Sequence, residues 1–288
     1  TRIGVVTFEN LFSARQKLAL HVFARSVQQA ARRISKETGD GDLAAATATC
    51  ISLVFSKMAG LCSSFNRWEP NVQCVQDVFG RQAVGLVWDY AESNPLGGSR
   101  GSFKTFLDGT VQLLGLDYGL LNGAIVRSAD ACAHSLPDDS AECVATDPPY
   151  FDSVPYADLS DFFFVWLKRS LCGMFPEYRT NETTPKDEEA IWNPGRVTKA
   201  GVKKDEHFYE QQIQQAFTDA RRITKPSGVA VVVFAHKSTA GWEAILNALL
   251  RAGWVVAASW PIDTELGSRV NAQGTASLAS SVHIVCRP

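Results

Sequence analysis

The chain has 288 residues, of which 45% are apolar and 20% are charged, and this composition excludes a disordered or fibrous protein. Lys and Arg number 28 against 30 Asp and Glu, so the net charge of −2 excludes a positive field over the whole protein. Any surface for a nucleic acid must therefore be local. At roughly 150 residues per domain, the length fits about two units, or one large α/β domain with a helical addition.

Cysteine usage and hydropathy favour the cytoplasm. The seven cysteines include no C-x-x-C pair, which argues against a zinc site or a redox dithiol and favours free thiols in a reducing compartment. The sequence shows no signal-peptide pattern and no apolar run near the roughly 20 residues that span a bilayer. We expect a soluble, cytoplasmic protein with no membrane partner. Its first residue, Thr1, and the strand-like piece over Ile3 to Phe8 suggest a fragment of a longer chain.

The first half of the chain is predicted to be helical. Apolar residues recur at intervals of three and four residues in several segments, which is typical of amphipathic helices. Ser13 and Gln16 form a capping-box pattern, and Asp42 follows a glycine-rich stop, so both of the first helices have N-cap signals. The predicted helices cover 13–37, 42–61 and 103–114, with a less regular helix or strand over 83–88. These elements make residues 1–123 a mainly helical N-terminal part, whose first two helices should pair antiparallel.

The second half changes character, because short β-branched runs alternate with amphipathic helices. The predicted strands cover 124–126, 143–146, 229–234, 254–260 and 281–286, and the predicted helices cover 157–172, 205–224 and 242–250. Between the first two helices lies a polar excursion, 173–204. Strands separated by helices of this length imply parallel pairing with right-handed crossovers. We therefore expect residues 124–288 to form a doubly wound, mostly parallel α/β sheet, in which ligands bind beyond the carboxyl ends of the strands.

The tetrapeptide Asp147-Pro148-Pro149-Tyr150 follows the predicted strand over 143–146 directly. Two consecutive prolines hold the backbone extended and remove two N–H donors, which leaves a stiff rim of hydrogen-bond acceptors. As an ordinary turn, the same residues would only redirect the chain, cap a helix and pack a tyrosine. Their position at the carboxyl end of a strand favours a binding role over that alternative.

A rim of acceptors suits an exocyclic amine on an aromatic ring. Such an amine is a poor nucleophile because its lone pair is delocalised into the ring. The Asp147 carboxylate and the Pro148 carbonyl can accept both amine hydrogens and favour a tetrahedral, attacking nitrogen. Tyr150 can stack on the face of a flipped base, a contact worth about 1–3 kcal/mol. Alignment of the nitrogen with an electrophilic methyl group would supply most of the remaining rate.

The tetrapeptide after a strand resembles motif IV of the amino-methyltransferases, which use S-adenosylmethionine to methylate adenine N6 or cytosine N4 in DNA. The succession from Cys143 to Cys286 is also similar to theirs: strand, helix, strand, helix, strand and a final strand inserted antiparallel. Three segments resemble a family of large predicted adenine-specific DNA methylases of prokaryotes with a DUF1156-type N-terminal region: Phe8 to Gln16, Asp147 to Asp152, and Trp260 to Glu265 with Arg269. The resemblance covers nearly the whole chain. It implies a Rossmann-like methyltransferase fold, S-adenosylmethionine as cofactor, and double-stranded DNA with a flipped base as partner.

The resemblance also implies a cofactor site, and here the sequence departs from the family's pattern. The family's glycine-rich loop and ribose-binding acid should precede the catalytic strand. The nearest candidate is the segment Val84 to Gly101. Its first acidic residue, Asp89, lies too far along the sequence from its glycines, so the segment is better explained as a solvent-exposed loop. Asp130 matches the position at which these enzymes often hold the cofactor's adenine, with a loop-capping role as the alternative, and Asp147 should border the cofactor as well. A missing N-terminal part of the same protein would complete the site.

Further residues are candidates for substrate or nucleic-acid contact. Residues 196–204 carry four cations and no acid, which suits phosphate contact or, alternatively, a mobile solvated loop. Tyr156 and Trp192 are candidates for stacking on a base, although aromatic residues are more often core. Glu265 and Arg269 follow a predicted strand, where they would bind substrate or anchor a loop. The four cations are Arg196, Lys199, Lys203 and Lys204. The histidines show no ligand spacing, and the chemistry requires no metal.

The sequence therefore predicts an S-adenosylmethionine-dependent, site-specific DNA methyltransferase that acts on an exocyclic amine, preferably adenine N6. Asp147 would accept from the amine, Pro148 would offer its carbonyl and Tyr150 would stack. Two alternatives stay open. One is an RNA methyltransferase acting on guanine N2 of tRNA, because some such enzymes carry a similar tetrapeptide. The other is a nucleic-acid-binding subunit without catalysis, which the missing glycine loop favours.

Overall fold

The computed structural model describes residues 5–79, 84–116, 124–152, 154–175, 177–262 and 281–288. The chain divides into two compact units, one formed by Thr1–Asn122 with Tyr156–Pro185 and the other by Gly123–Pro155 with Lys186–Pro288. Each unit buries its own clusters of apolar side chains. Hydrophobic burial within each unit therefore explains the division.

The first unit is mainly helical. A 3₁₀ helix, Phe8–Leu11, is followed by α1 (Ala14–Thr38), α2 (Gly41–Ala59), the short antiparallel pair β1 (Trp68–Glu69) and β2 (Cys74–Val75), α3 (Phe103–Leu114), α4 (Tyr156–Ser170) and α5 (Glu177–Thr180). The helices predicted over 13–37, 42–61 and 103–114 are confirmed, as is the capping box of Ser13 and Gln16. One cap differs from the prediction: Asp40, not Asp42, caps α2, because its carboxylate accepts the Leu43 N–H at 2.9 Å.

Aromatic rings hold the helices of this unit together. Phe12 stacks on Phe162 with ring centroids 5.7 Å apart, and Trp166 meets Phe55 edge-on at 5.8 Å, so α2 and α4 share one core. Among the described residues one helix, α2, is long and apolar enough to cross a membrane by length and composition alone. Core helices of soluble proteins pass the same test, and Phe55 and Met58 of α2 are fully buried. The helix is therefore weak evidence for a membrane span.

The second unit contains a four-stranded sheet in the order β3-β6-β8-β7. Its elements are β3 (Ala141–Thr146), β4 (Asn193–Val197), β5 (Lys203–Lys204), α6 (Glu206–Ile223), β6 (Thr224–Phe234), α7 (Thr239–Arg251), β7 (Val255–Ile262) and β8 (Ser281–Arg287). β3 pairs parallel with β6, whereas β8 pairs antiparallel with both β6 and β7. The expected final strand, inserted antiparallel, is therefore confirmed. β4 and β5 form a separate antiparallel hairpin.

The fold class predicted from the sequence is wrong. A doubly wound, mostly parallel sheet of the Rossmann-like methyltransferase type needs several parallel strand pairs and helices on both faces. The described sheet is mixed, with one parallel pair and two antiparallel pairs, because β8 occupies the position between β6 and β7. α6 and α7 pack on one face, where Val232 and Phe234 are buried. Val231 and Val233, which alternate with them on β6, are only half-buried.

Two smaller predictions also fail, and one strand is longer than predicted. Residues 124–126 form no strand: 124–130 are exposed and irregular, since β-branched side chains alone do not make a strand without a pairing partner. Residues 84–88 are irregular too, and residue 83 lies outside the described residues. The helix predicted over 205–224 is α6, and the strand predicted over 229–234 begins earlier than expected, since β6 spans Thr224–Phe234. The polar excursion over 173–204 is partly regular, because it contains α5 and the β4–β5 hairpin.

Candidate functional site

The tetrapeptide lies at the carboxyl edge of the parallel strand pair. β3 ends at Thr146, which pairs with Val232 of β6, and Asp147 follows at once. β6 runs in the same direction and ends at Phe234, so the segments after both strands meet at one edge of the sheet. β7 has this direction as well, since β8 is antiparallel to both of its neighbours. Polar side chains from several chain segments can therefore gather at this edge.

The residues of the tetrapeptide differ in exposure. Asp147 is exposed, Pro148 is buried, and Pro149 and Tyr150 are half-buried. The Tyr150 ring packs edge-on against Phe234, with centroids 5.6 Å apart and ring planes at 75°. Because Asp147 is exposed and the adjacent Pro148 is buried, the Asp147 side chain can reach solvent while the backbone beside it is held in place. Tyr150 also keeps part of its surface accessible.

Phe151 anchors the loop that carries the tetrapeptide. Its ring is buried, stacks on Trp192 at 5.1 Å, and meets Tyr209 of α6 edge-on at 5.1 Å. The Phe151 carbonyl accepts the Trp192 N–H at 2.9 Å, and the Tyr209 hydroxyl donates to the Pro149 carbonyl at 2.9 Å. Because Tyr209 is fully buried, core packing fixes the position of its hydroxyl and shields this hydrogen bond from water. The backbone that follows Asp147 is therefore fixed by α6 and by the segment that precedes β4.

Sequence reasoning missed two side chains beside this loop, Asp152 and His236. The His236 Nε2 lies 3.0 Å from the Asp152 Oδ1, and the imidazole meets the Phe151 ring edge-on at 5.7 Å. A signal for His236 was present, since it comes two residues after β6, at the carboxyl edge of the parallel strand pair that also carries Asp147. A search for metal-ligand spacing could not single out this histidine, because its partner is a carboxylate 84 residues away in the sequence.

Asp130, the predicted contact to the cofactor's adenine, caps its own loop. Its Oδ1 accepts the Cys132 N–H at 2.8 Å, and the residue is exposed on a segment without regular structure. Burial raises the pKa of the neighbouring Cys132 thiol to about 11, and the Asp130 carboxylate adds to the effect. The geometry thus supports the loop-capping alternative for Asp130.

The glycine-rich segment before α3 serves a turn. Glu92 forms a two-point ion pair with Arg15, with N–O distances of 2.9 and 2.7 Å, and the Arg15 guanidinium holds the pKa of Glu92 below its usual value. Gly101 adopts a φ of +94°, and a Cβ there would lie 2.5 Å from the Ser93 Oγ. The turn leads into α3, whose N-cap is Ser102. No strand precedes it in the described range 84–88, so a cofactor cradle of strand, acid and glycine loop is not formed there.

The predicted basic cluster lies on an ordered hairpin rather than on a mobile loop. Arg196 is half-buried on β4, whereas Lys199 in the turn and Lys203 on β5 are exposed. The Thr198 N–H donates to the Val202 carbonyl at 2.8 Å, which closes the turn. The exposed cations remain candidates for phosphate contact.

Lys204 differs from the other cations, because it is fully buried. Its ammonium donates to the carbonyls of Lys186 and Glu189 and lies 5.0 Å from the ring centroid of Phe208. These contacts tie β5 to the segment before β4. Since burial leaves Lys204 no surface for a phosphate, the prediction that it contacts a nucleic acid is corrected to a structural role.

The remaining predicted contacts are spread over the chain. Tyr156 begins α4 in the first unit and is 43% exposed, while Trp192 packs on Phe151 in the core of the second unit. Glu265 and Arg269 lie outside the described residues. Within the part of the chain that the structure describes, no group of three or more His, Cys, Asp or Glu side chains could hold a metal ion.

Comparisons of the sequence with protein-family models and with curated proteins found no match. The resemblance to amino-methyltransferases therefore remains a prediction, which rests on the residues that carry it and on their placement in the sheet.

Proposed function

We propose that this chain carries the catalytic segment of an S-adenosylmethionine-dependent methyltransferase that acts on an exocyclic amine of a nucleobase, adenine N6 in double-stranded DNA. The observation that supports the proposal best is the placement of Asp147. It is an exposed carboxylate at the carboxyl end of a parallel strand pair, on a backbone held by buried Pro148 and Phe151. A base could not reach Asp147 and Tyr150 if both were sealed in the core, and both keep accessible surface.

The proposed chemistry depends on what these residues do to the amine. The Asp147 carboxylate accepts one amine hydrogen and the Pro148 carbonyl accepts the other, which draws the nitrogen lone pair out of conjugation with the ring. The accessible part of Tyr150 stacks on the base and fixes its plane. Because Asp147 is exposed, a proton that it takes from the nitrogen can leave to solvent.

S-adenosylmethionine would supply the electrophilic methyl group, but the two acidic residues considered for its binding have other partners. Asp130 caps its own loop, and Glu92 is paired with Arg15. We therefore propose that a further segment, such as an N-terminal part of the same protein, completes the cofactor site. Two features of the described sheet support this: β3 is an edge strand, and the face of β6 with Val231 and Val233 is only half-buried. The incomplete site also favours the second candidate function, a non-catalytic nucleic-acid-binding subunit.

Identification of the methylated nucleoside tests the proposal. The full-length protein would be incubated with S-adenosylmethionine carrying a labelled methyl group, together with unmethylated genomic DNA or with tRNA, and the digested nucleosides would be analysed by mass spectrometry. N6-methyladenine in the DNA is the expected product. Labelled N2-methylguanosine in tRNA would select the RNA alternative. Binding of DNA without any labelled nucleoside would select the non-catalytic subunit.

Replacement of Asp147 tests its assigned role. Asp147→Ala should lower the rate of methyl transfer by about 10²-fold or more, because the amine loses its charged acceptor. Glu142→Ala is the matched control: Glu142 is exposed on the strand that precedes Asp147 and pairs with the Lys225 ammonium on the surface, at 2.9 Å. The control should keep its activity, and both variants should keep the circular dichroism of the parent. Full activity in a folded Asp147→Ala protein would refute the role.

A further inference from the structure

His236 follows β6 and is enclosed by protein. Only 4% of its surface is exposed, its ring lies nearly parallel to that of Phe234, at 18°, and it meets Phe151 edge-on. The start of α7 lies against it: a Cβ at Gly241 would be 2.3 Å from the His236 Nδ1, and the Trp242 indole N–H donates to the His236 carbonyl at 2.9 Å. The imidazole is therefore held in one orientation by aromatic rings and by a helix start.

The hydrogen bonds of the ring favour one tautomer of the imidazole. The Ser238 backbone N–H, which can only donate, lies 3.1 Å from Nδ1, whereas the Ser238 carbonyl, which can only accept, lies farther from it, at 3.4 Å. The shorter contact favours a lone pair on Nδ1. The proton of the neutral imidazole then lies on Nε2, which is 3.0 Å from the Asp152 Oδ1. The Ser238 Oγ is 2.8 Å from the same Nδ1. A buried Nδ1 that already accepts from Ser238 does not fit the base of a hydrolytic triad, which must be open to substrate.

We propose that His236, as the neutral Nε2–H tautomer, is a positioning residue that holds Asp152 and, through it, the loop that carries Asp147 and Tyr150. The connection is short, because Asp152 comes two residues after Tyr150 and Phe151 between them packs on the same imidazole. The kinetic part of this inference rests on the proposed function, whereas the structural part does not. Displacement of the Asp147 carboxylate by about 1 Å would lower the rate of methyl transfer about 10²-fold, so a loop that no longer holds its position would lower activity.

Nitrogen NMR and hydrogen exchange on the full-length protein test the structural part without any substrate. The His236 ring should show a protonated Nε2 and an unprotonated Nδ1. In His236→Ala, amide exchange over residues 150–152 should be faster than in the parent. His207→Ala is the matched control, since His207 is an exposed histidine of α6 that pairs with Gln211, and it should leave this exchange unchanged. A proton on Nδ1, or unchanged exchange in folded His236→Ala, would overturn the inference.

Two further variants keep the test valid if His236→Ala fails to fold. Asp152→Ala removes the carboxylate at a side chain that is 36% exposed, so it leaves no buried cavity, and it should loosen the same loop. His236→Gln retains a side-chain N–H donor of similar reach and should restore the slow exchange. Slow exchange in folded Asp152→Ala would overturn the inference.

The kinetic readout separates positioning from simple destabilisation. His236→Ala and Asp152→Ala should lower kcat for methyl transfer about 10²-fold with little change in KM for S-adenosylmethionine, and His236→Gln should recover most of kcat. An unchanged kcat in both variants would overturn the kinetic part. If the parent protein itself transfers no methyl group, the proposed function fails, while the NMR and exchange results still decide whether His236 holds the loop.

Discussion

Asp77 shows how a single residue makes stability depend on pH. It is half-buried next to Gly60, where an added Cβ would lie 2.2 Å from the Asp77 Oδ2, and its Oδ1 accepts the Phe79 N–H at 3.0 Å. Burial raises the pKa of the Asp77 carboxyl, and the hydrogen bonds from Phe79 and Val78 only partly oppose this. Because the pKa is higher in the folded state, the associated stability is fully present below the unfolded value and is lost as pH rises through the folded value.

Asp77→Asn should therefore raise the free energy of unfolding at neutral pH and leave it almost unchanged below about pH 4. The reason is that asparagine keeps an acceptor for the Phe79 N–H and carries no charge to bury. Urea unfolding of parent and variant at the two pH values measures the difference. Asp89→Asn, at an exposed position, should change stability little at either pH. An equal gain for Asp77→Asn at both pH values would contradict the assignment.

The residues around the tetrapeptide show which parts of a site are visible in a sequence. Asp147 to Tyr150 could be recognised because four adjacent residues carry the signal and a strand precedes them. His236 could not be assigned in the same way, since its role depends on Asp152, whose Oδ1 folding brings to 3.0 Å from the His236 Nε2. Likewise, nothing in the local sequence distinguishes buried Lys204 from exposed Lys203, because the two alternate on one strand and only packing decides which points inward.

At the scale of elements, two helical glycines have opposite roles. Gly241 lies in the first turn of α7, where a Cβ would be 2.3 Å from the His236 Nδ1 and 2.6 Å from its Cγ. Gly109 lies inside α3, and nothing is within 4 Å of the position of its Cβ. The first glycine allows close packing of a ring that is already fixed, whereas the second only weakens a helix.

Alanine at these positions should consequently change stability in opposite directions. Gly241→Ala should lower the free energy of unfolding by about 1–3 kcal/mol, because the His236 ring has to move. Gly109→Ala should raise it by about 0.5–1 kcal/mol, because alanine favours the helix and meets no neighbour. Chemical denaturation of both variants against the parent measures the two shifts. A stabilising Gly241→Ala would show that the ring has more room than the structure gives it.

At the scale of the whole molecule, cysteine reactivity reports on both units. All seven cysteines lie within the described residues, and all are free thiols. Burial raises the pKa of Cys62, in the first unit, to about 12 and that of Cys286, on β8, to about 11. Cys143 and Cys172 are exposed. The buried thiols are therefore both protonated and shielded at neutral pH, and the exposed ones are accessible.

Iodoacetamide at neutral pH should accordingly label Cys143 and Cys172 in the native chain, while Cys62 and Cys286 react only after unfolding. Peptide mass spectrometry over a time course measures the order. Early labelling of Cys286 would mean that the core of the second unit opens without global unfolding. If a further segment covers the open edge of β3, as proposed for the cofactor site, Cys143 should react more slowly in the full-length protein, whereas Cys172 should not change.

Local signals in the sequence were sufficient to predict the helices and to recognise the tetrapeptide as a candidate site. The Ser13–Gln16 capping box starts α1, amphipathic periodicity extends it, and the proline pair stiffens the chain after β3, because each of these effects acts between residues within about four positions. The tertiary structure alone decided that β8 lies between β6 and β7, that Lys204 is buried and that His236 meets Asp152. The reason is physical: strand order, burial and such pairings are set by contacts between distant segments, which compete for the same core as the whole chain folds.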